Sequence, residues 1–118
     1  MPLSTDIPIP VSVIFGAVLR AIRQEKGLTQ TEVGGFLHSG QSGYAKMETG
    51  VVVTHFLHME SFCEKLDVEI DEIYRRYEAF KSGCVERGYE LSYERVTAEQ
   101  RKQLPISILT LLLDEKQV

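Results

Sequence analysis

No stretch of this sequence approaches the roughly 18 to 20 apolar residues that a membrane-spanning helix needs. The apolar run Ile108 to Leu113 is short and interrupted by Thr110. No basic segment precedes an apolar core near the N-terminus, so no secretory signal is expected. Tryptophan is absent, and cysteine is limited to Cys63 and Cys84. Two such thiols make no disulfide framework and fit a reducing, cytoplasmic setting. A glycine-rich phosphate loop, a nucleophile elbow and a paired-carboxylate motif are all missing, so the chain is read as a non-enzyme. Positive charge is in the minority: 13 Lys and Arg against 17 Asp and Glu, a formal net charge of -4. Taken alone, that balance weighs against nucleic-acid binding.

The 118 residues suffice for one domain with a modest core. With 43% hydrophobic and 25% charged residues, the composition is that of a globular chain. The charge is unevenly spread. From Phe15 to Val53 four basic residues (Arg20, Arg23, Lys26, Lys46) meet three acidic ones (Glu25, Glu32, Glu48), whereas the acid excess lies beyond Thr54.

Pro2, Pro8 and Pro10 mark residues 1–11 as an extended leader. From Ser12 the periodicity becomes helical. Phe15, Val18, Leu19 and Ile22 recur at i, i+3, i+4, i+7 and share a face, and Gly27 supplies a stop. Thr29 and Glu32 have the spacing of a capping box and start a second helix with Val33 and Leu37 inward. His38-Ser39-Gly40 interrupts it. A third helix runs from about Gln41 to Thr49, with Tyr44 and Met47 inward, and ends at Gly50. Val51 to Val53 is read as a loop. Phe56, Met59, Cys63 and Leu66 continue the helical spacing. Val68, Ile70 and Ile73 lead into a fifth helix reaching about Phe80. Five short helices with brief connections make a compact all-α domain over residues 12–80.

Residues 81–118 form an appended C-terminal segment of mixed character. Ser82-Gly83 and Gly88 break the helical pattern, and Tyr89, Leu91 and Tyr93 alternate with polar residues as in a short strand or arm. Thr97 to Gln100 has the start signal of another helix, which Pro105 would end or kink. The run from Ile106 to Leu113 is apolar without a clear period.

Four short clusters stand in order within Phe15 to Ile73: Gly27-Leu28-Thr29-Gln30, Gly40-Gln41-Ser42-Gly43, Glu48-Thr49-Gly50 and Leu66-Asp67-Val68. With these clusters at these spacings, about half the chain resembles the phage-repressor and Cro-type, or Xre-like, helix-turn-helix family. The opening of the third helix is similar to that of lambda repressor. The resemblance implies a mainly α fold, a five-helix lambda-repressor-like DNA-binding domain with the C-terminal segment appended. It also implies a sequence-specific transcriptional regulator, acting as a repressor on double-stranded DNA. The expected DNA-contacting residues are Gln30, Ser39, Gln41, Ser42, Gly43, Ala45 and Lys46. A structural salt bridge between Arg23 and Glu48 is implied by the same resemblance.

The chemistry of these positions is consistent with that role. A recognition helix offers its first turn to base edges in the major groove. Gln41 can pair bidentately with adenine, and Ser42 can bond several base edges. Gly43 and Ala45 keep the helix face low, and Lys46 reaches a guanine or a phosphate. Gln30 is expected to aim outward at the start of the second helix and, in the family, braces a phosphate and the first recognition residue. Three features depart from the family pattern: His38 where Gly usually opens the turn, Gly34 and Gly35 inside a helix, and an apolar Val51-Val52-Val53 where basic residues are common. That loop is expected to pack on a partner or on the C-terminal segment.

Other constellations carry less. His55 and His58 sit at i, i+3, but no second cluster completes a tetrahedral set and Cys63 belongs to the apolar face, so no metal and no cofactor are expected. The acids Asp67, Glu69, Asp71 and Glu72 lack calcium-loop spacing, and Arg75-Arg76 reads as a solvated face. A homodimer on a palindromic site is expected, with Tyr89, Leu91, Tyr93 and Ile106 to Leu113 as the dimerisation element. Two alternatives stay open: an antitoxin or autoregulator that binds a toxin partner through the C-terminal segment, and a bundle used only for protein interaction.

Overall fold

A short strand, β1 (Ile9–Pro10), leads directly into α1 (Val11–Glu25) in a computed structural model of the chain, which describes residues 7–104. There follow α2 (Gln30–Phe36), α3 (Gly40–Thr49), α4 (Phe56–Leu66) and α5 (Ile70–Glu86), then β2 (Leu91–Ser92) and a single turn of helix, α6 (Ala98–Arg101). Among the described residues no helix is long and apolar enough to cross a membrane.

Local signals account for most of these boundaries. The Thr29 hydroxyl accepts from the Glu32 N–H at 3.1 Å, and the Glu32 carboxylate accepts from the Thr29 N–H at 2.9 Å, so α2 begins with a reciprocal capping box. Thr97 and Gln100 do the same for α6. Gly50, at φ 84°, closes α3 in the left-handed conformation that a side chain would resist. His38 takes φ 58° in the turn between α2 and α3, a conformation available to His at some cost.

Two apolar clusters share α1. Val18, Leu19 and Ile22 pack with Val33, Leu37, Tyr44, Met47, Met59, Phe62, Leu66 and Ile73, joining all five long helices. The α1 start belongs to the second: Val13 and Ile14 pack with Ile9, Cys84, Tyr89, Val96 and Leu104. Full burial of each such aliphatic side chain contributes about 1.5–3 kcal/mol before conformational entropy is set against it.

The second cluster explains where the structure departs from the sequence reading. Helix α5 does not end near Phe80 but continues through Ser82 and Gly83 to Glu86. An interior glycine costs only about 1 kcal/mol against alanine. Cys84, one residue on, is fully buried, and that packing holds the helix past the break. Tyr89 is likewise only 3% exposed, so it belongs to the core of its own chain rather than to a free arm. β2 pairs in parallel with β1, Ile9 opposite Leu91, and the Ile9 N–H donates to the Glu90 carbonyl at 2.8 Å. Pro8 and Pro10 have no N–H, so Ile9 is the donor left to the leader there. Val51 to Val53 is a loop, with Val52 packed against the main core and Val53 exposed. Val52 and Val53 face Tyr93, Glu94 and Arg95 of the C-terminal segment across a cleft of about 350 Å³. Pro105 and the run Ile106 to Leu113 lie outside the described residues.

Candidate nucleic-acid interface

The close crossing of α2 and α3 is built on Gly34. A Cβ placed there would collide with the Gly40 carbonyl and meet the Gln41 N at 2.9 Å. The two helices therefore touch through backbone, and the Ser39 N–H donates to the Gly34 carbonyl at 3.0 Å. Tyr44, Met47 and Glu48 on the inner side of α3 are buried. Tyr44 stacks on Phe62 with ring centroids 6.4 Å apart. The opposite side of α3 consequently points away from the core: Gln41, Ser42 and Lys46 are exposed, and Gly43 and Ala45 are half-buried.

Beneath that face runs a chain of polar contacts. Arg23 Nε donates to Glu48 Oε2 at 2.6 Å and its Nη2 to Oε1 at 3.2 Å, while Nη1 donates to the Leu28 carbonyl at 2.8 Å. The two side chains of the ion pair are 11% and 2% exposed, so it is a buried bridge. The hydrogen bond to Glu48 raises the Arg23 pKa above its ordinary value, outweighing the desolvation that lowers it. Gln30 Nε2 donates to Glu48 Oε1 at 2.9 Å, and Gln41 Nε2 donates to Gln30 Oε1 at 2.8 Å. The Tyr44 hydroxyl is buried beside the same ion pair without a hydrogen bond of its own, and burial pushes its pKa well above the ordinary range.

The structure thus brings Arg23, Glu48, Gln30 and Gln41 into one network linking α1, α2 and α3. It corrects the direction expected for Gln30. This side chain is half-buried and folded back between Glu48 and Gln41 rather than aimed outward. The reason is that Oε1 of Glu48 has room for a second donor beside Arg23, and a carboxylate that is 2% exposed needs one. Ser39 precedes α3 without capping it; its hydroxyl donates to the adjacent Gly40 carbonyl at 3.2 Å. Lys46 and Ser42 extend from the exposed side of α3 and stand outside the network.

Two supporting contacts carried no sequence signal. Gly16 on α1 lies against the backbone of α3, where a Cβ would overlap the carbonyls of Met47 and Glu48. Arg76 on α5 reaches Glu25 at the end of α1, at 2.7 Å and 2.9 Å, and also Glu72 at 2.8 Å. Arg75 pairs with Glu72 as well, so both arginines of the doublet are engaged with acids. The Arg76 bonds hold the Glu25 carboxyl below its ordinary pKa. His55 and His58 stack at 3.8 Å, and among the described residues no group of three or more His, Cys, Asp or Glu stands together as metal ligands would.

Comparison with protein families finds that residues 14–75, just over half of the chain, match a helix-turn-helix domain. The matched span starts inside α1 and ends early in α5, enclosing the whole polar network. No curated protein matches the chain.

Proposed function

This chain belongs to the helix-turn-helix domain family, and from that membership we propose that it is a sequence-specific, double-stranded-DNA-binding transcriptional regulator that lays the first turn of α3 in the major groove. The observation that carries the reading is the orientation forced on Gln41. An ionised carboxylate only accepts, so Gln30 must turn its Nε2 to Glu48 and its Oε1 to Gln41. Gln41 must then donate one Nε2 hydrogen inward. Its second Nε2 hydrogen and its Oε1 are left for an outside partner. That donor and acceptor, side by side, match N7 and the N6 amino group of adenine.

The neighbouring residues complete the proposal. Ser42 bonds a second base edge. Gly43 and Ala45 let the helix approach thymine methyls. Lys46 meets a guanine or a phosphate, and Ser39 lies at the entry to the helix, within reach of the backbone. One module makes few base contacts, so the regulator acts as a homodimer on a palindromic operator, in the cytoplasm, and represses by occupancy.

A second reading, in which the exposed face binds protein, is favoured by Phe56 and Leu57. These apolar side chains open α4 at 68% and 65% exposure, close in sequence to α3. One experiment separates the two. Genomic fragments retained by the purified protein are sequenced, and their affinity is measured against salt. The DNA reading expects one enriched motif and an affinity that falls steeply as salt rises. Retention without enrichment, or none at all, overturns it.

A further inference from the structure

We propose that the seam between α1 and α6 binds a phosphate group, held between the guanidinium groups of Arg20 and Arg101. Val13, Ala17 and Arg20 recur at i, i+4 and i+7, so they form one stripe along α1. Leu104 is buried in the cluster of Val13 and Ile14, and Ala17 packs against that cluster. The turn of α6 continues as far as Leu104, whose N–H donates to the Arg101 carbonyl at 3.1 Å. Arg101 therefore stands one turn before the anchored Leu104, and Arg20 one turn beyond Ala17. Both arginines are half-buried. Arg101 lies outside the matched residues 14–75, so the helix-turn-helix module alone does not supply the pair.

These two cations differ from the other buried or bridging ones. Arg23, Arg75, Arg76 and Lys81 each pair with a glutamate. Among the described residues, neither Arg20 nor Arg101 has an acidic partner. Nε of Arg101 is buried and has no hydrogen-bond partner. Burial, and after it the positive charge of Arg20, hold the Arg101 pKa below its ordinary value. A buried N–H without an acceptor and two like charges side by side each cost free energy. One anion at the seam removes both costs. A carboxylate is planar and suits a single guanidinium fork. The oxygens of a phosphate project tetrahedrally and can serve two forks that rise from different elements. Such a group belongs either to the backbone of a bound duplex or to a free phosphate ester. The first source rests on the regulator reading, and the second does not.

Thermal melts of the full-length chain in inorganic phosphate, against acetate and chloride at equal ionic strength, test the site without DNA. The wild-type midpoint is expected to rise by several degrees once phosphate exceeds its dissociation constant about tenfold, and to stay level in acetate. Arg20→Gln and Arg101→Gln should each abolish the rise. Arg101→Lys, which keeps the charge without the fork, should retain part of it. In chloride, Arg20→Gln should melt no lower than the wild type, because it removes a repulsion. If the phosphate is that of a duplex, Arg101→Gln also weakens all DNA sequences alike and lowers the salt slope by about one. An unchanged slope beside a phosphate response assigns the site to a free ester. The inference is overturned by a wild-type melt that ignores phosphate together with an unchanged salt slope. It is equally overturned by a response that acetate reproduces or that both Gln variants keep. A phosphate response in a chain that retains no DNA would instead overturn the regulator reading and leave this site standing.

Discussion

Gln41 Nε2 donates to Gln30 Oε1 across 2.8 Å, and that bond ties the exposed first turn of α3 to the buried Arg23–Glu48 pair. A side chain meant to read a base must hold one orientation before the base arrives, since fixing it afterwards costs affinity. Here the orientation descends from a carboxylate that is 2% exposed, through one amide, to the next. Under the proposed function, the stability of the pair and the reading of DNA are two consequences of one network.

Removing Arg23 leaves the Glu48 charge buried without its cation. Arg23→Ala is expected to destabilise the fold by about 3–5 kcal/mol, well beyond an exposed pair. Urea denaturation followed by circular dichroism measures it. A loss below about 1 kcal/mol would mean that the pair is solvated in solution.

The two neighbouring glycines of α2 are expected to respond in opposite directions. Gly34→Ala drives a methyl into the Gly40 carbonyl and should cost about 1–3 kcal/mol. Nothing lies within 4 Å of a Cβ at Gly35, so Gly35→Ala should stabilise by up to about 1 kcal/mol through helix propensity. Thermal melts of the two variants suffice. Equal effects would contradict the close crossing of α2 and α3.

His38 carries a left-handed φ of 58° on an exposed turn. A non-glycine residue there stores about 1–2 kcal/mol, part of which glycine returns as unfolded-state entropy. His38→Gly is expected to raise stability by about 0.5–1 kcal/mol, read as a higher melting temperature.

Acid is expected to destabilise the fold in two stages. Burial, and the His55 ring stacked on it, hold the His58 pKa below its ordinary value of 6.5. The unfolded chain therefore takes up this proton first. The stability contributed by neutral His58 is complete above 6.5 and declines as pH falls through the lowered folded value. Glu25 and Glu72 are also held low, by Arg76 and, for Glu72, Arg75 as well. Their contribution is complete above the ordinary carboxylate value of 4.5 and is lost only below it. A pH series of denaturation midpoints should show the upper stage vanish in His58→Gln while the lower stage remains.

Much of this fold was legible because its signals are local. The capping box at Thr29 and Glu32 and the stop at Gly50 each involve residues within a turn of one another. The inward positions of Tyr44 and Met47 follow from helical spacing alone. What escaped reading was decided at long range. Ser82-Gly83 looks like a helix end until Cys84 is seen packed against the α1 start, and the Ile9–Leu91 pairing joins opposite ends of the described chain. The inward turn of Gln30 was hidden for a similar reason. Its destination is a carboxylate eighteen positions later, and it turns inward only because that carboxylate is buried. Gly16 carried no signal in the sequence; only the α1–α3 crossing shows why a larger residue would not fit.

The most direct test is the base preference of Gln41→Ala on the enriched DNA motif, compared with the parent protein on all four bases at each position. The expected result is a loss of about 1–3 kcal/mol confined to one adenine per half-site, with weak, non-specific binding unchanged. A loss spread evenly over every sequence, or none, would contradict a base-reading role for the first turn of α3.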